Sequence, residues 1–278
     1  MFNANEISFE ESLIQLRFVG DELNNKSIPI YDLGVSLIAV QRIVHKAYLA
    51  QQGSLEDTNQ LTEQERLLLS LQISSRKKSS DGYGLIPFLT NDSLIKSIEI
   101  ILPIVFNALG QYVMKRIEAR KTEPEGKTDQ EDETKSFDEQ LFTGSIYAEV
   151  VQVAERIENK GVIKQIELST TRKIEQPKLK FDADTKEYLK SLKDHQVFGR
   201  FQDVGGKVNK IDDVNNIVEV KISARRVIKV HLTDNDFEIV RYGAKRYATI
   251  IFSGVPILLL GQNRYKAFEA HYVKVLDK

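Results

Sequence analysis

The chain contains no cysteine, which excludes a disulfide framework, a thiolate zinc site and a cysteine nucleophile. Histidine is scarce: His45, His195, His231 and His271 are scattered, and only Asp194 beside His195 hints at a dyad. Long apolar runs are also missing. The most apolar stretch, Leu94 to Met114, is interrupted by Lys96, Glu99, Pro103, Asn107 and Gln111, and its uncharged part from Ile100 onward is shorter than a bilayer requires. It is expected to be a core helix or a partner-binding helix, with no membrane association. Met1 to Glu11 lacks a basic segment followed by an apolar one, so no secretory signal is expected there and the expected compartment is cytoplasmic.

Cofactor motifs are absent too. Gly82-Tyr83-Gly84 lacks the third glycine and helix start of a dinucleotide fingerprint, and Gly206-Lys207 lacks a Walker frame. Ser93-Leu-Ile-Lys96 matches S-x-x-K, but no K-T-G follows, and serine is favoured at a helix start in any case. No cofactor and no metal centre are expected.

What the chain does have is segregated charge. The net charge of −1 is the sum of about −1 over residues 1–121, −6 over 122–139 and +6 over 140–278. Between Thr122 and Glu139 eight carboxylates face two lysines, a composition that cannot bury enough apolar surface to offset its ordering entropy. The expected organisation is an α+β domain over 1–121, an acidic flexible linker over 122–139, and an α+β domain over 140–278 ending in a β-rich, barrel-like module. The basic C-terminal body is expected either to bind anions, with the acidic linker as an intramolecular competitor, or simply to be satisfied by that linker.

Local patterns give the elements. Leu13 to Gly20 alternates like a strand, and apolar residues from Leu33 to Ala47 recur at helical spacing after Asp32, a candidate cap. Leu67 to Leu89 reads as a hairpin with Arg76-Lys77-Lys78 at its tip, and a helix is expected from Asn91 or Asp92 to about Lys121. Gln140 to Asn159 reads as one helix, Val162 to Leu168 as a strand, and Asp182 or Asp184 starts a short helix. From Val197 onward, short β-rich runs are separated by Gly205-Gly206, Asn215-Asn216, Asp234-Asn235 and Gly261-Gln262-Asn263.

At the N-terminus, a strand ending in Gly20-Asp21 is followed by Ile28-Pro29 and then Asp32-Leu33-Gly34-Val35-Ser36-Leu37. This resembles the opening of a family of uncharacterised bacterial proteins in which a Gly-acidic strand end leads to a D-L-G-x-S-L helix start. The resemblance covers about the first fifty residues. It implies a bacterial cytoplasmic protein without assigned activity, from a mobile or defence-associated gene neighbourhood, and carries over no catalytic residue.

The strongest candidate site is the basic and aromatic series Arg225, Arg226, Lys229, Arg241, Tyr242, Lys245, Arg246 and Tyr247, with Phe198, Arg200 and Phe201 nearby in sequence. Cations neutralise phosphates and aromatic faces stack on bases, so a small sheet displaying both would hold single-stranded nucleic acid or a nucleotide. A second pattern is Asp213 followed by Glu219 and Lys221, the carboxylate and Glu-x-Lys arrangement of metal-dependent nucleases. Alternation of Val218, Val220 and Ile222 with polar neighbours around a hairpin turn explains the same residues without catalysis. His231, Asp234 and Asp236 offer metal-ligand chemistry, but also fit a strand end and an Asp turn. The expected function is a non-enzymatic binding or adaptor protein. The alternatives are a nuclease, or a structural subunit or homodimer assembled through the 94–114 helix.

Overall fold

The computed structural model describes residues 8–21, 23, 28–55, 61–77, 81–88, 92–117, 138–158, 162–171, 178–246 and 248–276, without the side chains of 77, 92–95 and 97. The fold is α+β, built on two sheets. The first has strands β1 (Ile14–Val19), β2 (Leu71–Lys77), β3 (Asp81–Pro87), β4 (Gln165–Thr170) and β5 (Lys178–Phe181), in the antiparallel order β2-β3-β1-β4-β5. On β1 the alternation expected from the sequence appears as buried Ile14, Leu16 and Phe18 between half-buried Gln15, Arg17 and Val19.

This sheet crosses the expected domain boundary. Ile14 to Val19 pair with Thr170 to Gln165, so strands from both sides of the acidic run share one sheet and one continuous hydrophobic core. Composition marked a change in solvation there, whereas backbone pairing joins the two segments. Residues 122–137 of the expected linker lie outside the described residues; of the remaining two, Asp138 caps the next helix by accepting from Leu141 N–H.

Six helices accompany the sheet: α1 (Ile30–Gln51), α2 (Glu63–Leu68), α3 (Asp92–Val113), α4 (Glu139–Ser145), α5 (Tyr147–Ala154) and α6 (Ala183–Ser191), of which α3 and α6 pack against β5. On α1, Ser36, Ala39, Val40, Ile43, Val44 and Ala47 form the buried stripe against α3 and α5. Asp32 does not cap this helix but lies in its first turn, 3.3 Å from Arg156. Leu67 is helical rather than extended, because Thr62 and Glu65 form a capping box that starts α2. The single helix expected from Gln140 breaks at Ile146 into α4 and α5.

Helix α3 runs through Pro103 and buries Ile98, Ile101, Leu102, Val105, Phe106, Leu109 and Tyr112. Its apolar side therefore packs inside the chain, and Ile100 is 56 % exposed. No helix among the described residues is long and apolar enough to cross a membrane.

A side-chain bridge ties α1 to the hairpin. Gln41 donates to the Leu69 carbonyl at 2.8 Å and accepts from Leu71 N–H at 2.7 Å, while its amide also meets His45 at 2.8 Å. Burial first, and then the Arg66 charge, push the His45 pKa below its ordinary 6.5. The unfolded chain then binds more protons as pH falls, so this stabilisation is complete above 6.5 and lost as pH drops through it towards the folded value. Thermal melting should therefore weaken between about pH 7.5 and about pH 5, and His45→Gln should flatten that dependence; an unchanged slope would refute the assignment.

The second sheet rolls into a barrel. Strands β7 (Gln202–Asp212), β8 (Ile217–Ser223) and β9 (Arg226–His231) form an antiparallel meander. Then come α7 (Asp234–Lys245), β10 (Thr249–Leu259) and β11 (Ala267–Leu276). β9 pairs in parallel with β11, β11 pairs antiparallel with β10, and β10 returns to β7, closing the ring. The short β6 (Gln196–Phe198) adds to β10 outside it. Val204, Val218, Val220, Ile228, Val230, Phe252 and Phe268 are buried in the barrel strands. Gly205-Gly206 lies within β7 rather than at a turn, and a Cβ at Gly206 would meet Val220 at 2.5 Å.

Candidate nucleic-acid interface

Register decides which charges share a surface. Across β7, β8 and β9, Lys207 lies opposite Lys221 and Lys221 opposite Val227; one pleat on, Lys210 lies opposite Glu219 and Glu219 opposite Lys229. The intervening Val220 and Ile228 are buried, so these rows face outward. All four lysines are exposed. None has a carboxylate within ion-pair distance among the described residues, and Glu219 is the one acidic residue in the two rows.

At one end of this face the β8–β9 turn carries Arg225, and Arg226 stacks its guanidinium 4.3 Å above the ring of Tyr265, in the β10–β11 loop. Arg226 and Tyr265 line a cleft of about 410 Å³ with Arg200, Phe201, Gln202 and Asn263. The Arg200 backbone N–H donates to Asp138 at 2.7 Å, which fixes the chain leading into β7 against the start of α4. Phe201 makes edge contacts with His271 and with Tyr272, which is 58 % exposed.

The basic series divides. Arg225, Arg226 and Lys229 belong to the surface just described, with Phe201 and Arg200 brought beside them. Arg241, Tyr242, Lys245 and Arg246 do not: they lie on or just after α7, an element read from the sequence as strand and turn. That helix follows the opposite end of β9, about 17 Å from Arg226 by strand rise. Thr233 caps it by accepting from Asp236 N–H, and Phe237, Val240 and Gly243 bury its inner face. Arg241 lies 3.9 Å from Asp213 and 3.5 Å from Glu238, and Arg246 lies over the Tyr242 ring. Tyr247 lies outside the described residues.

The nuclease pattern is dispersed as well. Glu219 and Lys221 share a face as expected, but Glu219 sits between Lys210 and Lys229, while Asp213 lies in the β7–β8 turn beside Arg241. His231 ends β9, Asp234 accepts from Asn216 and Asp236 from Thr233. Among the described residues no group of three or more His, Asp or Glu side chains is arranged to hold a metal ion. Arg76, expected at a free basic tip, instead pairs with buried Asp81 at 2.9 Å; Lys78 lies outside the described residues.

Lys207, Lys210 and Tyr265 escaped the sequence reading. The two lysines are three residues apart and would face opposite sides of a regular strand; they share a face only through the register shift between Val208 and Lys210 against β8. No family model matches the chain, and no curated protein matches it.

Proposed function

We propose that the barrel binds single-stranded nucleic acid, without catalysis, across the outer face of β7, β8 and β9. Its connectivity, a three-strand meander, a helix, then two strands with the last parallel to the third, corresponds to the OB class of small barrels. In that class ligands bind on the face of the second and third strands and on the loops after the first and fourth. Those positions fall here on β8, β9, residues 213–216 and residues 260–266. The observation that carries the reading is chemical and belongs to this chain: four exposed lysines share that face, with exposed Arg225 in the turn at its end. Lysines neutralise phosphates regardless of sequence, and Tyr272, exposed beside Phe201, offers a base a stacking partner.

The test is anisotropy titration of labelled DNA and RNA single strands of about 15 nucleotides over a range of salt. Affinity should fall with salt along a slope of about −0.7 per phosphate contact, and Lys221→Glu with Lys229→Glu should weaken low-salt binding by about tenfold or more and flatten that slope. Lys245→Ala, on α7 and outside these positions, should leave binding unchanged. Salt-insensitive binding, no binding, or loss on the α7 change alone would overturn the reading.

A further inference from the structure

A second cavity, remote from the barrel face, has a different chemistry. It occupies about 700 Å³ between α1 and the β2–β3 hairpin, with α2 closing one end, a size within the range of small-molecule sites. Its walls are aliphatic: Leu37 and Leu49 from α1, Leu61 before α2, Leu71 from β2 and Leu85 from β3. Ile38 and Ile73 also line it, and remain 53 % and 48 % exposed.

Most polar groups around this cavity are already engaged. Gln41 is committed to the backbone of Leu69 and Leu71, and Lys46 donates to the Ser145 carbonyl and to Glu149, each at 2.7 Å. Two cations are left. Arg42 and Arg66 both line the cavity, both are exposed, and neither has a carboxylate within ion-pair distance among the described residues. Arg66 acts electrostatically on His45, and Arg42 on Lys46, so each positive charge is felt at the cavity wall.

We infer that this cavity binds an amphipathic organic anion, its apolar body seated among Leu37, Leu49, Leu61, Leu71 and Leu85 and its head held by Arg42 and Arg66. A guanidinium pairs equally well with a carboxylate or a phosphate, so the head is one of these two. A sugar or a free nucleotide would leave its hydroxyls against leucine without hydrogen-bond partners, which disfavours both. An uncharged lipid would gain nothing from the two arginines.

The full chain should be titrated calorimetrically with dodecanoate, dodecyl phosphate and dodecanol below their aggregation limits. At least one anion should bind saturably, one per chain and about tenfold or more tighter than the alcohol, because a hydrogen bond to a charged group is worth that much. Whichever anion binds better identifies the head. Arg42→Ala with Arg66→Ala should abolish the preference over dodecanol. Ile38→Trp, at a half-exposed position, should weaken all three probes by filling the mouth. Circular dichroism confirms that each variant folds. Equal binding of the three probes, no saturable binding, or a preference surviving the double arginine change would overturn the inference.

Discussion

Lys46→Ala should lower the free energy of unfolding by about 3 kcal/mol, the low end of what removing one member of a buried ion pair costs. Lys46 and Glu149 lie 2.7 Å apart with side chains 10 % and 8 % exposed, and Lys46 also satisfies the Ser145 carbonyl. Burial pulls the Lys46 pKa down from its ordinary range, Glu149 opposes that shift, and Arg42 adds to it. Truncating the lysine leaves a carboxylate with its desolvation uncompensated. The neighbouring cavity admits water to that carboxylate, which is why the low end of the range applies. Replacing both residues by methionine removes the orphaned charge and should restore most of the loss. Urea denaturation at neutral pH measures both variants; a single-variant cost below about 1 kcal/mol would show the pair to be dispensable.

Gly254→Ala should cost about 3 kcal/mol or more, at the upper end for overpacking, because the obstacle is backbone rather than a movable side chain. A Cβ at Gly254 would lie 2.0 Å from the Glu269 carbonyl oxygen and 2.9 Å from the Ala270 Cα. This is the bulge where β10 changes register against β11, the pairing that closes the barrel. Relief requires the two strands to part where Gly254 also pairs with Gln202. Calorimetric melting reads the loss. The same change at Gly205, where a Cβ meets nothing within 4 Å, serves as the control; equal melting of the two variants would refute the argument.

Local patterns in the sequence carried much of the fold. The alternation of β1, the apolar stripe of α1 and the Asp182 cap of α6 all lie where single-segment physics places them. So do the turn at Asn215-Asn216, with Asn216 at φ +52°, and the turn at Gly261, at φ +82°. The α7 helix was hidden because its inner face is only Phe237, Val240 and Gly243, amid charge, and its Thr233 cap precedes an Asp-Asn pair that also suits a turn. The β1–β4 pairing was illegible because partners so distant in sequence leave no local periodicity. The lysine face was illegible for a related reason: each lysine is an ordinary solvated residue until register sets Lys207 beside Lys221 and Glu219 beside Lys229.

The place of β1 in its sheet also has a consequence for biosynthesis. One edge of β1 is completed by β3, early in the chain, but its other edge waits for β4. At about 5–20 residues per second on the ribosome, the wait from Val19 to Gln165 lasts about 7–30 s. Through that interval the nascent chain offers an open strand edge to any extended peptide nearby. The first half of this protein is therefore the part most open to stray edge pairing until residues 165–170 leave the exit tunnel.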